Sequence, residues 1–95
     1  MKESEISQAL ERLEKLKEEM NGVWPIMRGS VVMIGKKGKQ PYFSVNDGGK
    51  TRIIYLGKKR EGMARRCSDN YARIREIIDE ITMINMRLLR WNKLE

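Results

Sequence analysis

Residues 29–60 read GSVVMIGKKGKQPYFSVNDGGKTRIIYLGKKR, and this stretch decides the fold. Val31, Val32, Met33 and Ile34 are β-branched or flexible apolar residues in a row, so a strand is expected over 28–34. Gly35 to Lys39 is a glycine-flanked turn carrying three lysines. A second strand follows over 41–45, where Pro41 is tolerated because a first strand residue needs no ladder donor. Asn46-Asp47-Gly48-Gly49 is a strong hairpin signal, because its residues accept positive φ between two β-rich runs. The third strand is expected over 50–56, with Gly57 ending it.

An antiparallel meander of these strands fixes where the charge lies. The first strand ends at the lysine turn and the third returns to the same end. Lys58, Lys59 and Arg60 are therefore expected beside Lys36, Lys37 and Lys39, and Arg65 and Arg66 extend the cluster along the next helix. The opposite end carries Asp47. Alternation divides the apolar residues between the two sheet faces, with Val31, Met33, Phe43, Val45, Ile53 and Tyr55 expected in one set and Val32, Ile34, Tyr42, Ile54 and Leu56 in the other. Which face is covered depends on the pairing register, and the second face must meet a helix, another subunit or a ligand.

Helices flank the sheet. Over 3–20, Ile6, Leu13 and Met20 recur every seven residues with Leu10 and Leu16 between them, a narrow coiled-coil stripe. Asn21-Gly22 ends this helix, and Trp24-Pro25 forces extended chain. Trp24 is expected to plug the junction of helix and sheet, with ligand stacking as the alternative. A second helix is expected over 61–92, with Met63, Cys67, Tyr71, Ile74, Ile78, Ile81, Asn85, Leu88 and Asn92 on one seam. Ile77, Ile84 and Trp91 form a row beside that seam. The predicted fold is α+β in a single domain: an N-terminal helix, a three-stranded antiparallel meander, and a long C-terminal helix packed antiparallel on the first. The longer helix leaves Ile84, Asn85, Leu88, Leu89 and Trp91 as contacts for a homodimer or another partner. Asn85 at a seam position either sets helix register or is simply exposed near the helix end.

Composition narrows the chemistry. The chain has 95 residues, one cysteine and no histidine, so the commonest general base near neutral pH is missing. Cys67 has no second cysteine to bond and no histidine with which to share a metal. Arg65 and Arg66 could activate it, but a packed helix thiol is the simpler reading. Gly35-Lys-Lys-Gly-Lys39 lacks the spacing of a phosphate-binding Walker loop and no helix follows it directly. No enzyme activity, metal or cofactor is expected. The N-terminus is polar and acidic, and no apolar run approaches the roughly 20 residues of a membrane span, so a cytoplasmic protein is expected. The net charge of +7 is uneven: residues 23–66 carry eleven Lys/Arg against Asp47 and Glu61. Such a localised field favours polyanions.

Several words of this sequence resemble an uncharacterised family of small prokaryotic proteins often encoded near mobile elements. They are Gly29-Ser30, Pro41-Tyr42-Phe43, Gly49-Lys50-Thr51 and Asn70-Tyr71, within a resemblance covering residues 28–90. Many members carry a cysteine cluster before the Pro-aromatic word. Here that place holds only the lysine turn, so no zinc role carries over. The strand pattern is also similar to the three-stranded DNA-binding domains of phage integrases, which lay a sheet in the major groove.

The resemblance and the charge together imply a non-catalytic nucleic-acid-binding accessory or regulatory protein of a phage or mobile element, with DNA favoured over RNA. Lys36, Lys37, Lys39, Lys58, Lys59 and Arg60 are expected on phosphates, with Tyr42 and Arg52 stacking or reaching base edges. The alternative is a protein-interaction module, such as an inhibitor of a host nucleic-acid-processing complex.

Overall fold

The 46–49 turn sets the register of the sheet. Gly48 and Gly49 have φ of 60° and 84° in the computed structural model, which describes residues 3–94. Two consecutive positive φ values make the tight hairpin that matches strand twist. Asn46 Oδ1 accepts the Gly49 N–H at 3.1 Å and braces it. Asp47 therefore faces Lys50, and counting outward pairs Ser44 with Ile53 and Tyr42 with Tyr55. The elements in chain order are α1 (Glu3–Gly22), β1 (Ser30–Ile34), β2 (Gln40–Asp47), β3 (Lys50–Tyr55) and α2 (Gly57–Arg90). The sheet is an antiparallel meander of order β1-β2-β3, and the fold is the predicted α+β arrangement. The described residues divide into two compact units, 24–72 and 3–23 with 73–94; α2 contributes to both.

In the first unit, register assigns the faces. Val31, Pro41, Phe43, Val45, Arg52 and Ile54 share one; Val32, Ile34, Gln40, Tyr42, Ser44, Ile53 and Tyr55 share the other, so the third strand's residues fall on the faces opposite to those expected, because the two-residue turn pairs Tyr42 with Tyr55. Phe43, Leu56 and Ala64 form a buried cluster, with Met27, Val31 and Val45 packed around it. Three bonds fasten the chain before β1 to α2. Met27 N–H donates to Cys67 O at 3.1 Å, Ser68 Oγ to Gly29 O at 2.7 Å, and Asn70 Nδ2 to Pro25 O at 2.9 Å. Gly29 (φ 149°) is required here: a Cβ would lie 2.5 Å from Ser44 O and 2.7 Å from the Phe43 ring.

The second unit is an antiparallel helical hairpin. Ala9, Leu13 and Leu16 of α1 meet Ile77, Ile84 and Leu88 of α2, with Ile6, Met20, Ile81 and Trp91 packed against them. Both helices thus present four-three spacing, the pattern that keeps two helices in contact along their length. Two forked ion pairs fix the register. Arg12 donates through Nε and Nη2 to Glu80, the latter at 2.9 Å, and Arg73 donates likewise to Glu19, through Nη2 at 2.7 Å. The partners lie seven residues apart on each helix, as antiparallel seams require. The Arg73 fork is the main cause holding the Glu19 carboxyl below its ordinary pKa, and the Arg12 fork does the same for Glu80.

The structure corrects several expectations. Helix α2 starts at Gly57 rather than 61, because Gly57 (φ 68°) makes the whole turn out of β3 by itself. Lys58, Lys59 and Arg60 therefore occupy the first helical turn. The same helix ends at Arg90: Asn92 (φ 58°) is a left-handed cap, with Lys93 N–H on Leu88 O and Asn92 N–H on Leu89 O, so Asn92 is no seam residue. The buried row of α2 runs through Ile77, Ile84 and Leu88, whereas Met63 and Ile78 of the expected seam are half exposed. Ile84 (3 % exposed) and Leu88 (1 %) pack against α1, so these two of the expected partner contacts serve the hairpin, and Trp91, half buried, borders that core. Leu10, expected in the α1 stripe, is exposed in favour of Ala9. Trp24 is 55 % exposed.

Candidate nucleic-acid interface

The meander brings the two basic segments to one end of the sheet. Ile34 pairs with Gln40 across the 35–39 turn, and the next row along β2 is Val32–Tyr42–Tyr55. Leu56 N–H continues the ladder onto Pro41 O at 3.0 Å, so α2 starts beside that turn. Gly35 and Gly38 take φ of 144° and 79°, and a Cβ on Gly35 would sit 2.9 Å from Gly38 O. That close approach folds Lys36, Lys37 and Lys39 into a compact loop. All three are exposed, as are Lys58 and Lys59, and none of the five has an ion-pair partner among the described residues. Residues 24–72 carry eleven Lys/Arg against three acids, a charge of +8.

Beside this rim lies the uncovered face. Tyr42 and Tyr55 form a T-shaped pair, centroids 5.4 Å apart and planes at 69°. The Tyr55 hydroxyl donates to Gln40 Oε1 at 3.3 Å, and its ring lies against Gly57. Around the pair stand Val32, Ile34 and Ile53, the last 49 % exposed, with Ser30 and Ser44 between. No lysine or arginine belongs to this face among residues 30–55. The aromatic row is the next on this face after the Ile34–Gln40 pair that borders the lysine turn.

The arginines behave differently from the lysines. Arg60 stands at the rim, but its guanidinium donates to Leu56 O at 3.0 Å and Tyr55 O at 2.7 Å. It fastens the end of β3 to the first turn of α2. Arg65 is paired with Glu61 at 2.8 Å and lies 4.0 Å from Met33 Sδ. Arg66 is exposed and has no ion-pair partner among the described residues. Arg52 is apart from the cluster: it pairs with Val45 on the other face and bonds Asp47 at 2.6 Å near the opposite end. A base-reading role for Arg52 alongside Tyr42 is therefore set aside. Val32, Ile34, Gln40 and Ile53 were absent from the predicted site, and Tyr55 was expected on the face opposite Tyr42. The signal that finds them is the two-residue turn at 48–49, which dictates the Tyr42–Tyr55 pairing by counting alone.

Cys67 is buried, with its carbonyl accepting from Met27, which fits the packed-thiol reading. No group of three His, Cys, Asp or Glu among the described residues is placed to hold a metal ion. No described helix is long and apolar enough to cross a membrane. Comparisons with protein-family models, with curated proteins and with solved structures each returned no match.

Proposed function

We propose that the chain is a non-catalytic nucleic-acid-binding accessory protein, of the kind its sequence resemblance associates with mobile elements, and that it holds an unpaired strand on the open face of its sheet. The observation that carries this reading is the juxtaposition of five unpaired lysines with an uncovered tyrosine row at one end of one sheet. Lysines supply sequence-independent attraction to phosphates, and the N-terminus of α2 beneath Lys58 and Lys59 adds its dipole. Tyrosine rings offer stacking that any base can use. A duplex major groove asks instead for arginine, asparagine or glutamine aimed at base edges. The centre of this face has Val32, Tyr42, Ser44, Ile53 and Tyr55.

Anisotropy titrations of a labelled single strand and its duplex, each at about 50 and 200 mM salt, test the proposal. The single strand should bind more tightly than the duplex. If each of five lysines meets one phosphate, its affinity should fall about 100-fold over that salt range, from a slope of about −0.7 per contact. Tyr55→Ala should weaken binding roughly 5- to 150-fold, the equivalent of about 1–3 kcal/mol for one stacked base. No binding at low salt, or binding indifferent to salt, refutes the reading; tighter duplex binding refutes the single-strand part alone.

A protein-interaction module acting on a host nucleic-acid-processing complex is the second reading. It rests on edge strand β3, whose Ile53, Ile54 and Tyr55 are each about half exposed at the rim of the sheet. Capture of such a complex that survives nuclease treatment and is lost on Ile54→Lys would favour it.

A further inference from the structure

The two edges of the sheet are not alike. In an antiparallel ladder, successive residues turn their backbone groups alternately toward the neighbouring strand and away from it. Leu56 N–H donates to Pro41 O, so counting back by twos turns Ile54, Arg52 and Lys50 toward β2. Thr51, Ile53 and Tyr55 therefore direct their N–H and C=O groups outward, on the side where the sheet has no further strand. Arg60 Nη2 donates to Tyr55 O at 2.7 Å and marks one end of this edge. On β1 the same count turns Val31 and Met33 outward, but α2 guards that edge: Arg65 lies 4.0 Å from Met33 Sδ, and Ser68 Oγ donates to Gly29 O.

Helix α2 covers Phe43 but leaves Ile54, on the same face, half exposed. Ile53 and Tyr55 are half exposed on the other face. Strand β3 thus offers an open edge with apolar side chains above and below it.

We propose that this edge takes an extended segment of a partner protein as a fourth strand, apolar in its middle and acidic at both ends. The proposal names the partner chemistry of the protein-interaction reading and rests on that reading. Backbone selects a peptide: an extended chain supplies both a donor and an acceptor at every second residue, which the outward groups of Thr51 and Ile53 require. Charge selects its ends. Lys50 stands at one end of the edge and Lys58 and Lys59 at the other, all exposed and without an ion-pair partner among the described residues. Between them the six residues of β3 span about 20 Å, the length of a short apolar strand. A second copy meets the apolar part but not the charge. Antiparallel pairing of β3 with itself brings the Lys50 end of one chain against the Lys58 end of the other, like charge on like at both ends.

The test titrates a capped nine-residue peptide, two glutamates on each side of Val-Thr-Val-Thr-Val, into the isotope-labelled full chain. Amide shifts should centre on Thr51, Ile53 and Tyr55, whose N–H exchange should slow as they gain partners. Lysines in place of the glutamates should weaken binding about tenfold or more. N-methylation of alternate peptide amides should weaken it about tenfold or more in one phase and leave it nearly unchanged in the other, because only one set of amides faces β3. No binding by the glutamate peptide, equal binding by the lysine peptide, or both methylated sets binding like the parent each overturns the proposal. So does a two-chain mass in light scattering that Ile53→Pro returns to one chain, which gives the edge to a second copy. A peptide that fails while nuclease-resistant capture of a complex persists overturns this edge alone and leaves the protein-interaction reading standing.

Discussion

Replacing Lys36, Lys37 and Lys39 together by glutamine isolates the electrostatic half of the proposed function. All three side chains are exposed and engage no ion pair among the described residues, so the fold should be untouched. If each contacts one phosphate of a single strand, each contributes about 0.7 to the salt slope and about 0.7 log units of affinity at 0.1 M salt. The triple variant should therefore bind about 100-fold more weakly at 0.1 M and show a slope smaller by about 2. Anisotropy titrations at four salt concentrations read both quantities, with circular dichroism as the control for folding. Arg52→Gln serves as the contrast, because Arg52 sits near the other end in an ion pair with Asp47. An unchanged slope in the triple variant, or a loss equally large for Arg52→Gln, would refute the argument that one end of the sheet meets the phosphates.

Other expectations concern the scaffold. Gly29→Ala places a methyl 2.5 Å from Ser44 O at positive φ, and should destabilise by about 2–4 kcal/mol in urea unfolding, more than an ordinary surface change. Leu16→Ala empties a fully buried site in the hairpin and should cost about 2–5 kcal/mol by the same measurement. The Glu19 and Glu80 carboxyls are held below their ordinary pKa by Arg73 and Arg12. A depressed carboxyl contributes stability that is present above its unfolded pKa of about 4.3 and lost as pH falls through the folded value. The melting temperature should therefore drop on acidification below about pH 4.3, and Glu19→Gln with Glu80→Gln should flatten that drop.

Much of the fold was legible because local signals agreed. The 46–49 turn, the β-branched runs and the seven-residue spacing each specify one element without reference to the others. Long-range choices were harder to read. Leu10 and Ala9 both fit a helical stripe, and the side that meets α2 is the one where Ala9, Leu13 and Leu16 bury against Ile77, Ile84 and Leu88, residues far apart in sequence. The start of α2 was misplaced because a positive-φ glycine both ends a strand and begins a helix, and sequence alone shows only the first role. The lysine cluster was legible from topology. The division between free lysines and engaged arginines was not, because Arg60 finds its partners among backbone carbonyls, which every sequence has. The open face could have been read from the turn, since a two-residue loop at 48–49 already pairs Tyr42 with Tyr55.

The central claim is that the uncovered tyrosine face and the lysine rim act as one surface. Backbone and methyl chemical shifts of the labelled chain, followed during titration with an unlabelled single strand, test it most directly. The largest shifts should fall on Val32, Ile34, Tyr42, Ile53 and Tyr55 and on residues 35–39 and 57–59, with Phe43, Val45 and Arg52 quiet. Shifts concentrated at Asp47, Lys50 and Arg52, or spread evenly over every exposed lysine, would contradict it.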